Sequence, residues 1–148
     1  MKLSTRSRYG TRLMLDLAQH YHEGPLQLGD IAKRQEVSVK YLEQIIIPLK
    51  KAHYIESVRG SKGGHFLTKP PEEITVGEIV AILEEGTSLV ECVADPTVCE
   101  RADICPTRLL WKEVSAAMFD RLEAVTLADL VERGKDMGSQ RLNQVPKA

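Results

Sequence analysis

Residues 38–69 narrow most sharply what this chain can become. Leu42, Ile45, Ile46 and Leu49 recur at the i, i+3, i+4, i+7 spacing of one buried helix face, and Ser38 stands where a cap is needed. The opposite face carries Lys40, Glu43, Gln44 and Ile47, polar but for the last. Pro48 predicts a kink or an early end near Ile47, because proline lacks a backbone donor and crowds the carbonyl four residues earlier. Two short β-like runs follow at 54–59 and 65–69, around Gly60-Ser61-Lys62-Gly63-Gly64. Strand, glycine-rich turn, strand reads as a hairpin, with Arg59 and Lys62 giving its tip positive charge.

Upstream, Ser4 precedes an apolar face of Tyr9, Leu13, Met14, Leu17, Ala18 and Tyr21, so a first helix is expected to about His22, stopped by Glu23-Gly24-Pro25. Leu28, Ile31 and Ala32 mark a short second helix before a turn at Glu36-Val37. Two helices and a capped third form the pattern of a helix-turn-helix, and a hairpin directly after it is a wing. Any three-helix bundle shares the first pattern, and a lone hairpin is more often an ordinary surface turn.

Pro70-Pro71 closes this module. Thr75-Val76-Gly77-Glu78 is a capping box, with Ile74 and Ile79 placed as a hydrophobic staple for a fourth helix to about Glu85, ended by Gly86. A cysteine-bearing loop comes next, and Pro106 suits the first position of a long helix to about Ala124. Leu110, Trp111, Val114, Ala117, Met118 and Leu122 stripe that helix, and a stripe this long in a small protein points to self-association as a two-fold dimer. The sequence Val125-Thr126-Leu127-Ala128-Asp129-Leu130 repeats the cap and staple for a final short helix. The expected fold class is therefore mainly α: a winged helix-turn-helix DNA-binding domain over 1–70 with a two-strand wing, then a helix, cysteine loop and dimerisation helix over 71–134. Residues 135–148 are expected to form a flexible tail.

The net charge of −1 conceals a split: residues 1–70 hold 12 Lys/Arg against 6 Asp/Glu, and residues 71–148 hold 8 against 15. A basic half facing a polyanion and an acidic half facing away make double-stranded DNA a natural partner. Uneven solvated surface is the plain alternative. No run of 18 apolar residues exists and the opening MKLSTRSRYG lacks the apolar core of a signal peptide, so a cytoplasmic protein with no membrane partner is expected. No nucleophile-base arrangement is evident, and the glycine cluster lies between strands instead of opening a helix, which argues against an enzyme.

In a reducing compartment, Cys92, Cys99 and Cys105 are poor candidates for structural disulfides, and three cannot all pair within one chain. Their spacing is too open for a zinc knuckle but can wrap a larger inorganic core. Iron–sulfur clusters want thiolate ligands, and Cys105 stands before Pro106 at the positive end of a helix dipole. Zinc, a thiol switch and buried small residues remain alternatives.

These residues converge. The opening MKLSTRSRYG, SVKYLEQI, VRGSKGGHFL, ITVGEIV, the three cysteines, LLWKEVSAAM and VTLADLV resemble, over roughly the first 134 residues, the Rrf-two superfamily of winged-helix repressors with its IscR-like and NsrR-like members. The resemblance implies that Ser38, Lys40, Glu43 and Gln44 enter a major groove and that Arg59 enters a minor groove. The chemistry agrees, since Gln bonds two edges of adenine, Glu accepts from cytosine N4, and narrow A·T-rich grooves attract guanidinium. Lys62 belongs with the wing. The resemblance also makes Cys92, Cys99 and Cys105 the ligands of an iron–sulfur cluster, [2Fe–2S] in preference to [4Fe–4S]. Two departures stand out. The first cysteine gap is one residue longer than the family's, and the fourth-ligand positions of the two branches hold Arg108 and Arg8. Glu91, Asp95, Glu100, Asp103, Arg108, His20, His22, His53, His65, a partner-subunit residue, solvent or a small molecule all stay open for the fourth site.

Overall fold

A computed structural model describes residues 3–144, with residues 139–144 described by their backbone alone. Helix α1, Thr5–Gln19, starts where the Ser4 hydroxyl accepts the amide of Ser7. Helix α2, Leu28–Gln35, stops on Glu36, which turns left-handed at φ 54°. Helix α3, Val39–Lys51, starts where the Ser38 hydroxyl accepts the amide of Tyr41. Pro48 lies inside α3 and does not end it, so the early end near Ile47 is not seen. Buried Ile45, Ile46 and Leu49 hold the turn on both sides of the proline, and the carbonyl it leaves without a partner is that of Gln44, on the exposed side. The helix closes one turn later on left-handed His53, whose amide reaches Lys50 while that of Tyr54 reaches Leu49, each at 3.0 Å.

Strands β1, Ile55–Val58, and β2, Gly64–Leu67, pair antiparallel, with Ile55 opposite Leu67 and Val58 opposite Gly64. The turn between them is tight, the Gly63 amide donating to the Gly60 carbonyl at 3.0 Å. The hairpin is also fastened to the start of α2. Leu26 and His65 exchange backbone bonds of 2.9 and 2.7 Å, and Gln27 Nε2 donates to the Gly63 carbonyl at 2.7 Å. Gly64, at φ 151°, has no room for a side chain, because a Cβ would fall 2.3 Å from the Leu26 carbonyl oxygen.

Helix α4, Val76–Glu84, carries the reciprocal capping box of Thr75 and Glu78, with Ile74 and Ile79 both fully buried as the staple. The cysteine segment differs from the simple loop expected. It is a string of single turns: α5, Glu91–Ala94, then 3-10 turns Pro96–Val98 and Ala102–Ile104. Helix α6 spans Pro106–Glu123 and α7 spans Leu127–Gln144. Of the segment expected to be a flexible tail, 135–144 is the end of α7, and 145–148 lies outside the described residues. Among the described residues the architecture is seven α-helices and a two-stranded sheet, the mainly helical winged fold that the periodicities predict.

The main core is shared by both halves of the chain. Leu13, Met14 and Leu17 of α1 meet Ile31 of α2, Leu42, Ile45 and Leu49 of α3, Ile79 and Leu83 of α4, and Leu127 of α7. A second cluster joins Val76 and Val80 to Phe119 and Val125. The α6 stripe thus divides. Met118 and Leu122 pack on the second cluster, whereas Leu110, Trp111 and Val114 are exposed. Asp16, only 1% exposed, ties α2 to α1 by accepting from Arg34 Nη2 at 2.6 Å and Gln35 Nε2 at 2.7 Å.

The α6–α7 junction lies directly on the start of α4. The Val76 amide donates to Val125 at 2.8 Å, the Leu127 amide donates to Ile74 at 2.9 Å, and a Cβ on Gly77 would sit 2.9 Å from the backbone nitrogen of Glu123. Backbone cannot yield as a side-chain tip can, so Gly77→Ala is expected to cost about 1 to 3 kcal/mol. Denaturant unfolding measures it, and an unchanged midpoint would mean that α6 backs away freely.

Candidate nucleic-acid interface and cysteine loop

Ser38, Lys40, Glu43 and Gln44 come together on the exposed face of α3, and Arg59 and Lys62 are exposed on the turn of the wing. Ser38 has a structural duty first, since its hydroxyl is the α3 cap at 3.2 Å from the Tyr41 amide. Behind that face Tyr41 meets Tyr9 edge-on with ring centroids 6.0 Å apart, and the Arg12 guanidinium lies 5.1 Å from the Tyr9 ring centre. Lys50 Nζ donates to Ser57 Oγ at 2.7 Å and so locks the end of α3 to the first strand of the wing. Helix and wing are held as one surface, with Lys40, Arg59 and Lys62 supplying positive charge along it.

One residue at this interface escapes the sequence reading. Tyr54, at the foot of the wing, lies close to Glu78, and the Lys69 ammonium lies 5.0 Å over its ring. Burial, reinforced by Glu78, pushes the phenol up to about 12, so it stays a neutral donor. Glu78 reads from sequence only as a capping-box residue, yet in three dimensions it also lies beside Tyr54 at the foot of the wing. A pair separated by this much chain has no periodic signal.

The three cysteines occupy three consecutive turns. Cys92 is on α5, Cys99 follows the first 3-10 turn, and Cys105 is the N-cap of α6; all three are free and half-buried. Cys105 Sγ lies 3.2 Å from the Thr107 hydroxyl. That contact first, then the backbone amide of Arg108, lowers the Cys105 pKa below the ordinary thiol range and favours thiolate. Among the described residues no three His, Cys, Asp or Glu side chains form a metal-holding group. In kind the donors suit an iron–sulfur group: three free thiols, one biased to thiolate, at the N-terminus of a long helix.

Arg108 is engaged with the backbone of the loop. Its Nε donates to the Cys92 carbonyl at 2.6 Å and its Nη1 to the Ala102 carbonyl at 3.4 Å, so one guanidinium on α6 holds the first and last turns of the loop. Asp95, another open candidate for the fourth site, accepts from the Thr97 amide at 2.8 Å and the Thr97 hydroxyl at 2.7 Å. His20, His53 and His65 belong to α1, the end of α3 and the wing, with His20 Nδ1 2.8 Å from the Asp16 carbonyl. The start of the loop is fixed too, the Leu89 amide donating to Ser115 Oγ on α6 at 3.1 Å.

Comparison with known proteins decides the family. Residues 3–133 match the model of the Rrf2 (Rrf-two) family, described as iron-dependent transcriptional regulators. The chain belongs to the Rrf2 family. It is 50% identical over 131 residues to protein rrf2 of Nitratidesulfovibrio vulgaris, covering 88% of this chain and 87% of that one. Its fold is similar to T. potens IscR, with a TM-score of 0.76 at 35% identity, covering 100% of this chain and 94% of that one. It is equally similar to CymR (YrzC), the global cysteine regulator of B. subtilis, with a TM-score of 0.75 at 38% identity, covering 90% and 98%. As a family member this chain is a DNA-binding transcriptional regulator. Among the described residues no helix is long and apolar enough to cross a membrane.

If Arg108 closes the loop without any metal, Arg108→Ala loosens it. In metal-free protein the variant should label faster at Cys92 with iodoacetamide, by severalfold, and be cut sooner by protease within 91–105. Identical labelling and cleavage in both proteins would contradict the clamp.

Proposed function

We propose that the protein is a cytoplasmic, dimeric repressor of transcription whose grip on a double-stranded operator is set by an iron–sulfur cluster, [2Fe–2S] in preference to [4Fe–4S], held by Cys92, Cys99 and Cys105. The observation that carries this reading is the position of the thiols: they lie on one segment tied to α6 at Arg108 and Ser115 and following directly on α4. The description of the Rrf2 model as iron-dependent supports it. Cys92, Cys99 and Cys105 would hold the cluster, which would supply an anionic cross-link among their three turns. Arg108, which holds two carbonyls of those turns, and Cys105 at the N-cap of α6 place the segment's attachments on α6. The elements that follow are placed to carry a change onward, because α6 packs through Phe119 on α4 and the start of α4 lies beside Tyr54 at the foot of the wing. Such a switch acts only so far as the two states differ in DNA affinity.

A second copy of the chain is the natural cover for exposed Leu109, Leu110, Trp111 and Val114 on the first half of α6. A two-fold dimer sets two α3 helices on two half-sites, with Ser38, Lys40, Glu43 and Gln44 at base edges and Arg59 and Lys62 of each wing on the flanking groove and phosphates. A second reading keeps the DNA and replaces the cluster by direct thiol oxidation or a bound effector. Two observations favour it: the depressed Cys105 thiol and the similarity to CymR, a cysteine regulator.

Anaerobic purification and reconstitution, followed by iron and acid-labile sulfide analysis and visible and Mössbauer spectroscopy, separates the two. Wild type is expected to hold iron and sulfide that a Cys92, Cys99 and Cys105 triple serine variant loses. Protein without either after reconstitution, together with a mapped disulfide under oxidant, selects the second reading. On the DNA side, Gln44→Ala is expected to cost about 1 to 3 kcal/mol at one base position. Arg59→Ala should weaken binding and relax A·T preference beside it. Undiminished binding by both variants in fluorescence anisotropy contradicts the docking.

A further inference from the structure

The outer face of α3 carries two large apolar side chains that no packing accounts for. Val39, the first residue of the helix, is 41% exposed, and Ile47 is 62% exposed. The inward stripe of Leu42, Ile45, Ile46 and Leu49 is complete without them. Val39, Glu43 and Ile47 fall at i, i+4 and i+8 and make a single row along the helix, beside the row of Lys40 and Gln44. The row is thus apolar, acidic, apolar, bordered by a cation and an amide. The last helix of a helix-turn-helix presents its N-terminal residues to base edges, and the major groove offers one apolar feature there, the thymine C5 methyl.

We propose that Val39 and Ile47 determine operator specificity by packing on thymine methyl groups to either side of the base pair addressed by Glu43. This rests on the DNA-docking reading above and adds the chemistry of two further positions. The geometry is suitable, because eight residues of helix rise about 12 Å, which is between three and four base steps of about 3.4 Å. A helix lying in the groove spans that many pairs. Charge names the occupant. Lys40 beside them on α3, Lys50 and Lys51 at the end of the helix, and Arg59 and Lys62 on the wing put cations suited to groove phosphates on the same helix-and-wing unit as these two side chains. An apolar protein surface offers nothing to those cations, whereas duplex DNA provides methyl groups within a frame of negative charge.

The proposal predicts a specificity that depends on a methyl group alone. The probe is the duplex that wild-type protein selects from a random-sequence library, remade with each thymine in turn replaced by deoxyuridine, which deletes only the C5 methyl. Wild type should lose about fourfold in affinity at each of two thymine positions, the amount expected for one methyl group removed from water. Val39→Ser should lose that sensitivity at one position and keep it at the other, and Ile47→Ser should do the reverse. Both sites are exposed, and circular dichroism confirms that each variant is folded. If deoxyuridine at every thymine leaves wild-type affinity unchanged while Glu43→Gln still alters the selected base, the helix docks as described and this inference is overturned. If wild type selects no sequence at all, the docking and the inference fail together.

Discussion

Helix α4 can serve both ends of this molecule because α1 has no side chain where the two cross. A Cβ on Gly10 would lie 2.1 Å from Leu83 Cδ1 and 3.2 Å from Ile45 Cγ2, so the absence of one lets Leu83 sink between α1 and α3. That close approach places α4 inside the same core as α3, and most other features of the molecule depend on it. The ends of α4 are then claimed by different partners. Its start is capped by Thr75, bridged to the α6–α7 junction and set close to Tyr54 at the foot of the wing. Its end meets α1, where Glu84 accepts the Ser4 amide at 2.9 Å and is held below the usual carboxylate range by the Ser7 hydroxyl first and by Ser4.

The cysteine segment is attached to this rod without sharing its core. Its anchors are polar and few: Arg108 on two carbonyls, Ser115 on the Leu89 amide, and short turns capped by their own side chains. Beneath its start lies a cavity of about 610 Å³ lined in part by Val80, Glu84, Leu89, Met118 and Phe119. A segment with few buried apolar contacts and open space beside it has a low cost of rearrangement. The packed α1–α3–α4 core is its opposite, and rigid elements carry a displacement farther than compliant ones. A soft loop on a stiff rod is the arrangement that the switch proposed above requires.

Much of this was legible in the residues. Helix starts at Ser4, Ser38, Thr75 and Thr126, the glycine hairpin, the inward stripe of α3 and the proline entry to α6 are local signals, each written within a turn or two of where it acts. Pro48 does not bring the early end that its local rule allows, because buried Ile45, Ile46 and Leu49 hold the helix together across the lost hydrogen bond. The stripe on α6 misled in part for a related reason. Periodicity shows that Leu110, Trp111, Val114, Met118 and Leu122 form an apolar series, but not that Phe119 turns the C-terminal half toward α4 and leaves the other half bare.

The sequence by itself determined the mainly helical winged fold, the exposed polar face of α3 and the confinement of every thiol to one short window, because caps, periodicities and spacings act over a few residues. Only the tertiary structure decided that Arg108 grips the loop, that Tyr54 and Glu78 meet, that α4 shares a core with α1 and α3, and that Val39 stands bare beside Glu43. Each of those facts depends on which surfaces meet after the chain has folded back on itself. Close packing settles that for all the elements at once, whereas a sequence pattern describes each element alone.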